Sequence, residues 1–120
     1  MARYKVDRQR YSESYIERKS CEYAESLGWY QRKFTSPGRR GVPDRLFAKA
    51  GIIVFVEFKA PDKRPTRQQY REINELKAVG MRTYWCDGIA KFMAIFDSLE
   101  LEFAEQFAQF KENTDVDDLI

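Results

Sequence analysis

The chain carries Asp44 directly after Pro43, and Glu57-Phe58-Lys59 at the end of the apolar run Ile52–Val56. Residues 44–49 and 52–59 read as two strands around Ala50-Gly51, an antiparallel hairpin. In such a hairpin paired positions keep a constant index sum. Lys49 opposite Ile52 therefore puts Asp44 opposite Glu57, with Cβ atoms roughly 4.5–5.5 Å apart. Strand alternation adds Lys59 on the face of Glu57. Two facing carboxylates repel unless a positive charge lies between them. Lys59 alone would make a structural ion triad. A hard divalent cation such as Mg²⁺ would instead take the carboxylates, keep waters and accept substrate phosphate oxygens. Both readings stand on charge alone. In the second, the Phe58 backbone carbonyl is a further ligand candidate, and Lys59 would orient or deprotonate a metal-bound water or neutralise phosphate charge.

The chain of 120 residues contains no histidine. Ser-His-Asp triads, zinc–histidine sites and histidine bases are excluded, leaving carboxylates and lysine for acid–base or metal chemistry. The two cysteines, Cys21 and Cys86, have no metal-ligand spacing and sit in apolar-patterned segments, as buried free thiols do. Net charge is +2, unevenly spread: residues 1–71 hold 17 Lys and Arg against 8 Asp and Glu, and residues 72–120 hold 4 against 11. Basic residues flank the carboxylate site: Arg39 and Arg40 in one loop, Lys63, Arg64 and Arg67 in another. They are either solvated surface cations or a rim that contacts a polyanion.

The elements that must position these groups follow from periodicity and turn residues. A helix is predicted over 12–27, with Ile16, Tyr23, Ala24 and Leu27 on its apolar side and Gly28 closing it. A short strand follows over 29–34, then the loop "TSPGRRG". The run 52–56 is apolar at both parities, as expected of a central strand covered on both faces. Thr66 caps a helix running to Val79, with Ile73, Leu76 and Val79 on its apolar face. A strand over 81–86 would lie parallel to 52–59, because the intervening helix gives a βαβ crossover. Short amphipathic helices are expected near 89–97 and 99–111, then an acidic tail over 112–120. Phe92, Phe96, Phe103, Phe107 and Phe110 would pack either the core or a seam between two copies. The expected fold is an α/β single domain over 1–120, its core about 11–90: a mixed sheet flanked by helices, in the order α-β-β-β-α-β and then C-terminal helices. No apolar run is long enough for a membrane helix and residues 1–14 lack an apolar signal core, so a cytoplasmic, non-secreted protein is expected.

The Pro43-Asp44 pair followed by Glu57-Phe58-Lys59 resembles the PD-(D/E)xK nuclease motif. More narrowly, "GVPDRLF" followed by "VEFKAPDKRPTRQQ" resembles the VRR-NUC domain, a virus-type replication-repair nuclease with the restriction-endonuclease-like fold. The match covers roughly residues 11–90 and includes Gln69 at the start of the next helix. It implies a metal-dependent DNA endonuclease using Mg²⁺ or Mn²⁺, in a bacterial or phage-infected cell. Asp44, Glu57 and the Phe58 carbonyl would hold the ion. Lys59 would act on the water or phosphate and Gln69 would orient the site. Glu17, the best-placed acid on the first helix, would support the ion through a water. Glu17 also fits a capping box with Ser14, and Gln69 one with Thr66, so each has a purely structural reading. Stand-alone members resemble junction-resolving homodimers acting on four-way DNA. The alternatives are a nuclease of flaps or nicks, or a non-cleaving nucleic-acid-binding module, whose expected signature, loss of an acid or of the lysine, is absent.

Overall fold

The computed structural model describes residues 11–113. The acidic stretch 114–120 and the first ten residues lie outside them. The order is α1 (Glu13–Ser26), β1 (Tyr30–Lys33), β2 (Arg45–Lys49), β3 (Ile52–Phe58), α2 (Arg67–Ala78), β4 (Arg82–Cys86), α3 (Ile89–Glu102) and α4 (Ala104–Asn113). The four strands form one sheet in the order β1-β2-β3-β4. β1–β2 and β2–β3 are antiparallel; β3 and β4 are parallel, joined by α2 as the crossover. This is the expected mixed sheet with helices on it.

The β2–β3 register pairs Lys49 with Ile52 and Arg45 with Val56, the index sum expected from sequence. The turn between them is tighter than a three- or four-residue loop. Ala50 and Gly51 both take positive φ, 49° and 85°, the signature of a two-residue I′ turn. Such a turn twists with the strands and fixes the register, and alanine accepts the left-handed conformation at a cost.

One face of the sheet builds the core. Phe47, Val54, Val56 and Phe58 pack against Ile16 and Ala24 of α1 and Phe92, Phe96 and Leu99 of α3, all essentially excluded from solvent. Phe92 and Phe96 stack at 4.2 Å between centroids, and Phe47 meets Phe96 edge-on at 5.1 Å. These phenylalanines are therefore core residues. Phe103 and Phe107 pack partly buried against it, and only Phe110 of the five is largely exposed. Trp29 is also core, its indole N–H donating to Glu100 at 2.9 Å. The expected break between the last two helices falls at Phe103 rather than near residue 98, because α3 continues through a third and fourth turn to bury Leu99.

The opposite face carries α2, with Ile73 buried on it and Tyr70 edge-on to Trp85. Coverage here is incomplete. Ile53 is 41% exposed although β3 is central, and Val79, expected on the apolar face of α2, is the exposed C-cap residue. α2 starts at the end of the sheet that carries Glu57 and runs back along this face to the beginning of β4, leaving Ile53 partly uncovered.

Ala50→Asn should stabilise the protein by about 1 kcal/mol, since asparagine tolerates the left-handed conformation better than alanine. Urea unfolding checks this; an unchanged midpoint would mean that the turn is unstrained.

Candidate active site

Asp44 is the last residue before β2. Its backbone carbonyl accepts from Phe34 N–H at 2.9 Å, and its carboxylate accepts from Phe58 N–H at 2.7 Å. The first bond ties Asp44 to β1 and the second to β3, so the side chain is fixed where the ladder ends. Pro43 before it is buried. Gly41 has φ +90°, and a Cβ there would lie 2.8 Å from Gln68 Cγ and 3.0 Å from its backbone oxygen. It is a close-approach glycine that lets the loop lie against the first turn of α2, not merely a turn residue.

Glu57 is 2% exposed. Its Oε2 accepts from Gln69 Nε2 at 3.1 Å and lies 3.4 Å from Lys59 Nζ. Its Oε1 is buried without a hydrogen-bond partner. Gln69 unites the two roles open to it. Thr66 Oγ1 accepts from Gln69 N–H at 3.2 Å while Gln69 Oε1 accepts from Thr66 N–H at 2.8 Å, a complete capping box. Because the amide oxygen is occupied by the cap, the NH₂ end must face Glu57.

The third acid differs from the one expected. The helix N-cap is Ser12, whose hydroxyl accepts from Tyr15 N–H at 3.1 Å, so the Ser14–Glu17 capping box does not form. Glu13, the first residue of α1, brings a carboxylate oxygen to Asp44 and Glu57, and the three ligand-type atoms all lie within 4.8 Å of one another. Glu17, one turn on, points to the start of the sheet: its Oε2 pairs with Arg45 Nε at 2.6 Å and Lys33 Nζ at 3.2 Å. The sequence singles out Glu17 alone as the acid of the first helix; Glu13, one turn earlier, is the one that reaches the strand ends. Arg45, two residues beyond Pro43, was the available signal: it supplies the counter-charge for a buried glutamate.

The electrostatics are those of crowded acids. Burial, then the neighbouring Asp44 charge, push Glu57 up to about 8, with Lys59 opposing the rise. Burial also raises Asp44, opposed first by the Phe58 N–H bond, and raises Glu13, opposed by Lys59. A small space bounded by three hard oxygen donors, one of them an orphaned buried oxygen, fits a divalent cation. Among the described residues this is the one cluster of three or more such ligands.

Of the expected rim, Arg40, Lys63, Arg64 and Arg67 are exposed. Arg39 is held instead by α2: it pairs with the buried Glu72, and its Nη2 lies 2.6 Å from Glu75 Oε2. That pairing fastens loop 35–41 and leaves Arg39 poorly placed to take a phosphate.

A mixed sheet with Asp44 and the Glu57-x-Lys59 element meeting at one strand end, and a helix acid beside them, defines the class of PD-(D/E)xK nuclease folds. No protein-family model matches the chain. A solved structure of a VRR-NUC domain superposes with a TM-score of 0.68 at 28% identity, over 71% of this chain and 94% of that one. A protein of Acyrthosiphon pisum secondary endosymbiont phage 1, named "Putative nuclease p44", is 49% identical over 69 residues, 57% of this chain and 74% of the relative. The chain belongs to the VRR-NUC family.

Two outcomes follow. In chelator, Glu57 holds its proton more tightly folded than unfolded, so its stabilising contribution is fully present below its ordinary value of 4.5 and is lost as pH rises through about 8. Glu57→Gln should flatten this fall, and be more stable than wild type at pH 8, as read by thermal unfolding across pH. A variant with the same pH slope as wild type would contradict the shift. Gly41→Ala should cost roughly 1–3 kcal/mol in urea unfolding, from left-handed strain and the contact with Gln68; a neutral result would mean that the loop can withdraw from α2.

Proposed function

We propose that the chain is a metal-dependent DNA endonuclease whose active site is Glu13, Asp44, Glu57, Lys59 and Gln69. The observation that carries this reading is the convergence of carboxylates from α1, the start of β2 and the end of β3 beside Lys59, with Glu57 Oε1 buried and unpartnered. Glu13, Asp44 and Glu57 would hold Mg²⁺ or Mn²⁺, together with the Phe58 carbonyl. Such an ion, when bound, polarises a phosphodiester and lowers the pKa of a coordinated water.

The chain's own residues supply the rest. Gln69, fixed by its capping box, keeps the Glu57 carboxylate turned toward the cluster. Phe58 N–H does the same for Asp44. Lys59, its side chain largely withdrawn from solvent beside Glu57, brings an ammonium to the edge of the site. There it can donate to a non-bridging phosphate oxygen and offset the charge that builds as the phosphorus is attacked, or hold the attacking water. Arg40, Lys63, Arg64 and Arg67 would draw in the backbone without reading sequence. Glu17 becomes a support, holding α1 to Arg45 one turn from Glu13.

The finer reading is a homodimer that resolves four-way junctions. It is supported by the family resemblance and by the single such cluster among the described residues, so that paired cuts in two strands need two copies related by symmetry. Incubation of branched and linear DNAs with Mn²⁺ tests it. Selective, paired incision of the junction is expected; preferential cutting of flaps or nicks would replace the junction assignment.

Asp44→Asn and Lys59→Ala should each lower the cleavage rate by about a hundredfold or more, the scale of losing a group that acts in the transition state. Substrate affinity measured in chelator should stay within a few-fold. Near wild-type cutting by either variant would overturn the site assignment.

A further inference from the structure

A second groove opens at the same end of the sheet, between the turn that follows Lys59 and the first turn of α3. It has a volume of about 420 Å³ and is lined by Asp62, Lys63, Arg64, Trp85, Asp87 and Lys91. Its walls are built, not incidental. Lys59 N–H donates to the Cys86 carbonyl at 2.9 Å, carrying the chain from the active site directly onto the end of β4. Pro61 and Asp62 then reverse it: Lys63 N–H donates to the Ala60 carbonyl at 3.0 Å, and Asp62 takes φ 65°. Asp62 N–H donates to Asp87 Oδ2 at 3.3 Å, fastening this turn over the strand end. Lys63 and Arg64 are thereby presented on one wall. On the other, Lys91 Nζ sits 4.0 Å from the centroid of the Trp85 ring.

Trp85 pairs with Glu57 in the β3–β4 register, so it belongs to the strand level that bears the candidate active site. Its ring meets Lys91 on a face and Tyr70 edge-on. It is therefore a pedestal that holds an ammonium, not an open platform for stacking a base. Three cations against two carboxylates, one of which fastens the turn, favour an anion that is read by charge alone.

We infer that this groove is a flanking subsite for the sugar-phosphate backbone of the nucleic-acid strand, with Lys91 as a cation pre-positioned on Trp85 and Lys63 and Arg64 opposite. The inference rests on the nuclease reading. It adds a backbone contact beyond the scissile phosphate, independent of sequence, that continues from Lys59 across the end of β4. Because the Trp85 ring face is taken by Lys91, the subsite contributes affinity and register rather than base preference.

The test is binding of a short labelled DNA duplex to the whole chain in chelator, over a range of salt, beside cleavage assays with Mn²⁺. Lys91→Gln should lower the salt slope by about one unit, as expected for one phosphate contact, and weaken binding on the order of fivefold near physiological salt. Lys91→Arg should keep the slope. Lys77→Gln, an equal charge change in the last turn of α2, should leave the slope unchanged. Trp85→Met should weaken binding while keeping the slope, since the charge remains but loses its pedestal. If Lys91→Gln matches wild type or Lys77→Gln in slope while wild type binds and cuts, the subsite is wrong and the nuclease reading stands. If wild type neither binds nor cuts nucleic acid, both fall together.

Discussion

Asp44 and Glu57 are held against each other at the end of a hairpin whose register allows them no escape. The I′ turn at Ala50-Gly51 sets that register, and every pair of the β2–β3 ladder repeats it until it delivers the two acids to adjacent positions. The core enforces the same placement from the other face: Phe47, Val54, Val56 and Phe58 fill it, and a slip of one residue would turn β3 over and carry Glu57 toward that core. The price of this arrangement is visible in Glu57, buried, raised to about 8 and left with one orphaned oxygen. A fold selected for stability alone would place an apolar residue there. The surrounding groups reduce the repulsion only in part.

Those surrounding groups also explain why the supporting elements lie where they do. α2 must start close to the strand ends for Gln69 to cap its own helix and still reach Glu57. Gly41 permits that closeness by offering no Cβ to Gln68, and the Arg39 pairing with Glu72 and Glu75 fastens the same loop along the helix. α1 is fastened separately, by Glu17 to Arg45 and Lys33, which leaves Glu13 at its first turn beside the acids. Two helices on opposite faces of the sheet thus converge on one strand end. The groove lined by Lys63, Arg64 and Lys91 lies at the same end of the sheet.

Much of this was legible in the residues. The index sum that pairs Asp44 with Glu57 needs only a turn position, and the capping signal Thr66-x-x-Gln69 located the start of α2 to the residue. The element order followed from apolar period and glycine stops. What the sequence left open depended on rotation and on tertiary pairing. Glu13 and Glu17 lie one turn apart on one side of α1, and only the position of Arg45 in space decides which is neutralised. Arg39 in a glycine-rich loop looks like a phosphate ligand until the loop folds along α2 and meets Glu72. The C-terminal phenylalanines carry a helical pattern that fits a core or a seam equally well, and it is the packing on Phe47 that assigns Phe92 and Phe96 to the core, while Phe110 stays exposed.

If Glu13, Asp44 and Glu57 form one divalent-cation site, calorimetric titration of the protein with Mn²⁺ near pH 7 will detect it. Binding should displace the proton that Glu57 retains at that pH, so the heat should depend on the ionisation enthalpy of the buffer and report release approaching one proton per ion. Glu57→Gln should abolish both the binding and the proton release. Absence of Mn²⁺ binding to the wild-type chain, or equal binding by Glu57→Gln, would make the cluster a structural one.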